Sequence, residues 1–335
     1  MEKFRILIDG SGTATALSII KGINKQKKYS VFIVTIDMDS FNTGRFLSDK
    51  FYQVPPADSP LFIKELFNIC KTESIDLFLP VIDLSFLKLA QAKKQFRIMG
   101  THILLAPSKA IEITSDKFKT YTFFKKHNIP TPMTFLPDSL PNKLEFPLFI
   151  KPRIGGRASI NAFKVESHID LEYYMSKIKH PLVQEYINGF EFTADCLNSL
   201  DGKSFIECIV RKRIETKGGL AIKSEIIKPP LSEKIKHYIR KISITLRLPG
   251  AYNIQGFIKK NEEIFFTEIN PRFAGTHAFT IEAGLNSIEY ILDMFCGIPI
   301  EQIKRSIAIN YDLKMVRYWQ EIFVNGNKAY TPWTF

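Results

Sequence analysis

An α/β region followed by an α+β region is the fold class that this sequence predicts, and three observations carry it. Strand-like apolar runs alternate with amphipathic helical patterns up to about residue 110. Beyond that, strands joined by short turns rich in Gly and Asn dominate. The last strand pair ends in Gln255, Glu268, Asn270 and Arg272, polar residues that a core strand would not normally carry. A length of 335 residues suits two or three domains or subdomains, at roughly 150 residues each.

Residues 4–9 (FRILID) read as a buried strand, followed by the turn GSGTATA and a helix with Leu17, Ile20 and Ile23 on one side. VFIVTID (31–37) is the next strand; a helix around 60–72 leads to the strand IDLFLPV (75–81). A second region opens at SDKFKTYTFFKKHNIPTP (115–132), with Ser115 as helix N-cap and Pro130 as its stop. FPLFIKP (146–152) should pair with INAFKVE (160–166), and LVQEYI (182–187) should turn at Asn188-Gly189 into EFTADCL (191–197). SFIECIVRKR (204–213) and a helix around 232–247 precede a final hairpin, AYNIQGFIK (251–259) with EIFFTEIN (263–270). The tail KMVRYWQEIFV (314–324) alternates like a strand.

Composition narrows the function classes. At 45% hydrophobic and 24% charged residues the chain can build ordinary cores. No apolar run approaches the ~18 residues of a membrane span, and MEKFRILIDGSG lacks a secretory pattern. The four cysteines (Cys70, Cys196, Cys208, Cys296) form no CxxC pair and the histidines no HExxH motif, so zinc and disulfides are not expected and a reducing cytoplasm is. The net charge is +12; residues 203–247 hold twelve Lys and Arg against four Glu, a net +8. Such a balance suits an anionic ligand, a nucleic-acid surface or simply a solvated lysine-rich face. No zinc-finger or RNP signature accompanies it.

The final hairpin carries the strongest chemistry. With Asn261-Glu262 as a two-residue loop, Gln255 faces Glu268 and Asn253 faces Asn270. Alternation then puts Glu268 and Asn270 on one face and Phe265, Thr267 and Ile269 on the other. Hard oxygen donors gathered this way suit Mg²⁺, which keeps some waters and binds substrate phosphates. Arg272, just beyond, can fork onto a phosphoryl or carboxylate group. In FIKPRIGGRAS (149–159) a strand delivers Lys151 to a Gly155-Gly156 loop that is either a phosphate cradle or a plain turn; it is not a Walker A loop. VQEYINGFE (183–191) offers strand-end backbone groups and Glu191, and is otherwise an ordinary hairpin. DGSGTAT (9–15) has Thr15 where a dinucleotide fingerprint needs its third glycine.

Taken in order, these pieces resemble the ATP-grasp superfamily, particularly single-unit relatives of the carbamoyl-phosphate synthetase large subunit. NIQGF…FFTEINPRF (253–273), close to the pattern Q…EiNPR, is the most specific match; TIDMD (35–39), FLSDKFYQVPP (46–56) and IDLFLPVIDLSF (75–86) are also family-like. The resemblance implies a Rossmann-like pre-ATP-grasp domain over 1–110, an ATP-grasp lid subdomain over 111–190 and a large C-terminal subdomain over 191–335. It implies that Lys117 and Lys151 hold ATP phosphates under a flap of Gly155, Gly156, Arg157 and Ser159. Glu185, Tyr186 and Ile187 correspond to the adenine hinge and Glu191 to the ribose ligand. Gln255, Glu268 and Asn270 correspond to ligands of Mg²⁺ (Mn²⁺ as an alternative), Gln255 also facing the nucleotide. Arg272 corresponds to the stabiliser of the transferred phosphoryl, with Arg211, Arg213 and the loop TKGGLAIKS (216–224) completing the site by a looser match. After NPRF the chain reads Ala-Gly-Thr-His277, where the family often has Gly-Gly or Gly-Ser, and it holds one ATP-grasp unit.

The implied activity is that of a cytoplasmic carboxylate–amine ligase. A small-molecule carboxylate is activated as an acyl phosphate and attacked by an amine, releasing ADP and phosphate. Membrane and nucleic-acid partners are not expected, and a homodimer is admitted. Competing readings are a bicarbonate-phosphorylating carboxylase or carbamoyl-phosphate-type enzyme, a nucleotide-binding regulatory module, a nucleic-acid binder and a dehydrogenase.

Overall fold

The structure is a computed structural model, and it describes residues 2–155, 160–326 and 328–331. Contacts divide the chain into two units: residues 1–105, 272–309 and 315–335 form the first, and residues 106–271 and 310–314 the second.

In the first unit, β1 (Lys3–Asp9), α1 (Ala14–Lys25), β2 (Ser30–Asp37), β3 (Lys50–Gln53), α2 (Phe62–Thr72), β4 (Leu77–Leu79), α3 (Phe86–Ile98) and β5 (His102–Ile103) follow one another; the sequence predicts β1, α1, β2, α2 and β4, but not the short strands β3 and β5. The strands form one parallel sheet in the order β3-β2-β1-β4-β5, and Ile6, Leu7 and Ile8 of its central strand are fully buried. The strand order reverses between β1 and β4, so the carboxyl ends of these two strands flank a switch point of the kind where α/β sheets hold ligands. Asp9 ends β1 there, 1% exposed, and its Oδ1 accepts the Val81 N–H at 2.5 Å. α3 was not foreseen, because its apolar residues are too sparsely spaced to make a strong stripe.

The second unit begins with α4 (Ser108–Thr114) and α5 (Lys117–Lys126). Asp116, not Ser115, caps α5, accepting the N–H groups of Phe118 and Lys119. The helix ends at Lys126, where Asn128 turns left-handed, ahead of the expected stop at Pro130. Next come β6 (Thr134–Phe135), β7 (Leu148–Pro152), β8 (Phe163–Val165), α6 (His168–Lys177) and β9 (Pro181–Glu185), whose strands make a sheet in the order β6-β9-β7-β8. The predicted β7–β8 pairing is present, with Leu148 opposite Val165.

β10 (Gly189–Asn198), β11 (Phe205–Lys217), β12 (Leu220–Ile226), α7 (Leu231–Leu246), β13 (Ala251–Lys259) and β14 (Ile264–Asn270) follow. Their antiparallel sheet runs β14-β13-β10-β11-β12 and continues into the short strand that begins at Lys314. The expected hairpin at Asn188-Gly189 does not form, since β9 and β10 belong to different sheets. Residues 186–188 are a connector between sheets, because β10 finds its partners in β11 and β13.

After β14 the chain returns to the first unit through α8 (His277–Glu282), α9 (Ser287–Phe295) and α10 (Ile300–Ser306). Gly22 of α1 makes this docking close: a Cβ there would lie 2.9 Å from Ile281 Cδ1, and its carbonyl accepts the Asn286 amide at 3.1 Å. The tail is not the single strand anticipated. It breaks into β15 (Lys314–Val316) and a hairpin of β16 (Phe323–Asn325) and β17 (Lys328–Tyr330), leaving Trp319 71% exposed. No helix among the described residues is long and apolar enough to cross a membrane.

Candidate active site

The register of the second unit's sheet builds one polar face. Arg211, Thr193, Gln255 and Glu268 lie across from one another on β11, β10, β13 and β14. Two residues along, Asp195, Asn253 and Asn270 form a second polar row. Residues opposed across a sheet share a face, so these side chains converge. The opposite face is apolar, where Phe266 is fully buried against Phe192, Tyr238 and Phe124 at ring distances of 5.6, 5.7 and 6.3 Å.

The predicted pairs Gln255–Glu268 and Asn253–Asn270 are present, by a different route from the one expected. The turn has three residues, Lys260 to Glu262, with Lys259 N–H bonded to Glu263 O at 2.9 Å and Glu262 at φ 63°. That displaces the pairing by one, so that Phe265 faces Phe257 and Phe266 faces Gly256. A bulge at Thr267 then restores it before Glu268. Below the bulge the faces exchange: Ile264 and Phe266 are buried with Ile269, while Phe265 and Thr267, expected beside Ile269, are half-buried.

Lys151, on β7, has its ammonium within electrostatic reach of Glu268 on this face. It donates to Gln184 Oε1 at 3.0 Å, and no carboxylate among the described residues forms an ion pair with it. Part of its side chain meets solvent, yet loss of water around the ammonium lowers its pKa to about 8. Glu268 opposes the shift, Lys117 adds to it and Glu191 opposes it. A poorly hydrated cation among such neighbours is suited to an anionic ligand.

Lys117 opens α5 and donates to Gly155 O at 2.9 Å. The same end is tied by Arg153, which forks onto Asp116 with Nη2 at 2.7 Å and Nε at 2.9 Å. Burial works to raise the Asp116 pKa, but the bonds from Arg153, Lys119 and Phe118 outweigh it and hold the carboxyl below its ordinary range. Gly156, Arg157 and Ser159 lie outside the described residues.

Glu185 ends β9, and Tyr186 and Ile187 lie in the connector between the two sheets. Glu185 donates its N–H to Met133 O at 2.8 Å, Ile187 is buried, and Tyr186 lies under the Lys164 ammonium at 4.9 Å. Glu191 and Arg213 form an ion pair, and Arg213 also reaches Gly219 O at 2.5 Å in the β11–β12 turn. Burial raises the Glu191 pKa against the pull of Arg213. Arg211 is 2% exposed and bonded to Asp195 Oδ2 at 3.2 Å, so it sits within the sheet face.

Arg272 is found in the first unit, gripped side-on by Asp83: Nε to Oδ1 is 2.9 Å and Nη2 to Oδ2 is 3.2 Å. Its Nη1 donates to Phe273 O at 3.0 Å. His277 is buried at the start of α8, its ring edge-on to Phe273 at 4.9 Å.

Among the described residues no group of three His, Cys, Asp or Glu is placed to hold a metal. The oxygen set is instead the Glu268 carboxylate with the Gln255 and Asn270 amides. One carboxylate with neutral oxygens fits Mg²⁺ held jointly with waters and phosphates, rather than a cation caged by protein alone. Gln184, Thr134 and Asp195 were not singled out from sequence, although each is a polar residue buried in a strand.

Comparison with known proteins bears on the fold that carries these residues. Residues 6–104 match the family model described as PylC-like, N-terminal domain, and residues 114–276 match the ATP-grasp domain. The carbamoyl phosphate synthase large chain of Pseudothermotoga lettingae is 26% identical over 323 residues, covering 88% of this chain and 26% of that one. The chain thus spans about a quarter of that relative's length. N5-carboxyaminoimidazole synthetase from Staphylococcus aureus, solved with ADP, aligns with TM-score 0.68 at 17% identity over 84% of this chain and 74% of that one. The L-amino acid ligase from Bacillus licheniformis aligns with TM-score 0.66 at 14% identity over 87% and 73%.

Proposed function

The chain carries an ATP-grasp domain behind a PylC-like N-terminal domain, and from that premise we propose that it is an ATP- and Mg²⁺-dependent carboxylate–amine ligase. One observation carries the reading: the Lys151 ammonium feels the charge of Glu268, on a sheet face that Glu268 shares with Gln255 and Asn270. In this reading residues 111–190 act as the lid subdomain. Lys117 and Lys151 neutralise phosphate oxygens, Glu185 to Ile187 meet the adenine edge and Glu191 holds ribose hydroxyls. Glu268, Gln255 and Asn270 would hold Mg²⁺, which when bound neutralises phosphate charge.

Phosphoryl transfer leaves little covalent work for a protein, so positioning and charge neutralisation dominate. Arg272 stabilises charge on the transferred phosphoryl, with Arg213 and the loop 216–224 closing the phosphate side. Arg211, buried against Asp195 in the same polar face, completes the site beside Arg213. The flap excludes water that would hydrolyse an acyl phosphate before the amine reaches it.

A screen of ADP release from Mg²⁺-ATP, across carboxylates paired with amino acids, tests this. Carboxylate- and amine-dependent release is expected; no release with any pair contradicts it. The likeness to carbamoyl phosphate synthase large chains supports a second reading, phosphorylation of bicarbonate. That reading requires ADP release with bicarbonate alone.

A further inference from the structure

The Lys151 ammonium is held by a short hydrogen-bond chain whose direction is fixed at its far end. The Thr134 hydroxyl donates to Pro132 O at 2.9 Å, which commits its single proton. Toward Gln184 the hydroxyl oxygen can then only accept, and Gln184 Nε2 donates to it at 2.7 Å. An amide with its nitrogen fixed on one side must present its oxygen on the other. Gln184 Oε1 accordingly faces Lys151 Nζ at 3.0 Å. The opposite amide orientation would set N–H groups against an ammonium.

The surroundings make this chain stiff. Gln184 is 6% exposed and Thr134 3% exposed. Thr134 pairs with Gln184 across β6 and β9, and Phe149, two residues before Lys151, pairs with Gln184 across β7 and β9. The amide is therefore locked between two strands, one supplying its acceptor and the other its cation.

We infer that Gln184 is a positioning residue that aims the Lys151 ammonium at a nucleotide phosphate, with Thr134 setting the orientation of its amide. The inference rests on the nucleotide reading given above, and it adds residues outside the ATP-contacting set. Gln184 touches no phosphate and acts through Lys151. A neutral acceptor is well matched to this role, because it orients the ammonium without cancelling the charge the phosphate needs, as a carboxylate would.

Equilibrium binding of Mg²⁺-ADP and of adenosine to the full chain, by competition against a fluorescent ADP analogue, tests the inference. Gln184→Met should weaken Mg²⁺-ADP about tenfold and leave adenosine within about twofold, the loss expected when a charge-assisted contact is misaimed. Thr134→Val should give a smaller loss of the same selectivity, and Gln184→Glu, whose carboxylate cancels the charge of the ammonium, should weaken Mg²⁺-ADP while sparing adenosine. Adding Gln184→Met to Lys151→Met should cost nothing further. Folded Gln184→Met protein with unchanged Mg²⁺-ADP affinity, or with adenosine weakened equally, overturns the inference while the nucleotide reading stands. If wild-type protein binds neither ligand, the nucleotide reading fails and takes the inference with it. Should Gln184→Met not fold, selective loss of Mg²⁺-ADP affinity in Thr134→Val and in Gln184→Glu supports the inference, and its absence overturns it.

Discussion

Replacing Asp9 with Asn should make the protein more stable at pH 8 and leave it unchanged near pH 4. Asp9 ends β1 at the switch point, 1% exposed. Its Oδ1 accepts the Val81 N–H, with a further bond from the Ile82 N–H, while Oδ2 has no partner among the described residues. Burial raises the carboxyl from 3.8 to about 7; the two backbone bonds oppose this, and nearby Asp83 adds to it. The folded state therefore holds its proton more tightly than the unfolded chain. Stability from this group is complete below pH 3.8 and is lost as pH rises through about 7. A difference of roughly three pKa units, at 1.36 kcal/mol each, sets a ceiling of about 4 kcal/mol. Structural relaxation will reduce it, and a gain of about 2 kcal/mol for Asn at pH 8 is a fair expectation. Asn keeps the acceptor toward Val81 and carries no charge at any pH. Urea unfolding of both proteins between pH 4 and 8 measures the difference directly. A gap that does not widen with pH, or an Asn variant less stable at pH 8, would show that ionised Asp9 costs the folded protein nothing.

Other outcomes follow from the same geometry. Lys151→Ala should weaken Mg²⁺-ATP binding by about 1.5–3 kcal/mol, the worth of a hydrogen bond to a charged group, as read by calorimetry at pH 7. In the wild type that affinity should fall as pH rises through about 8, where the ammonium loses its proton, and the variant should lack this dependence. Phe266→Ala, at a fully buried ring packed against three aromatics, should cost about 3–5 kcal/mol in urea unfolding. Gly22→Val should lose about 1–3 kcal/mol, because its Cβ falls 2.9 Å from Ile281 Cδ1; unchanged stability would show that α8 can shift.

Much of this was legible in the sequence because it rests on short-range rules. Alternating patterns gave the parallel sheet, and period-2 alternation brought Glu268 and Asn270 to one face. The pairing of Gln255 with Glu268 emerged through two features that sequence does not reveal. A three-residue turn moved the register by one, and the Thr267 bulge moved it back. Local alternation could not foresee that Phe266 would be core and Phe265 half-buried. The β9–β10 connection misled for a related reason. Asn188-Gly189 is a strong hairpin signal, but β10 has two better partners in β11 and β13. Gln184 was unreadable as more than a strand residue, because its significance depends on Thr134, fifty positions away, and on Lys151 across the sheet. The grip of Asp83 on Arg272 spans 189 positions and leaves no local trace.

The most direct test of the account compares ADP release from Mg²⁺-ATP by wild-type protein and by Glu268→Ala, using the best carboxylate and amine pair from the screen. Glu268 is half-buried on the polar face, so its removal should spare the fold, as circular dichroism and urea unfolding would show. Substrate-dependent ADP release by the wild type and loss of about a hundredfold or more in the variant are expected. A folded Glu268→Ala protein with full activity would contradict it.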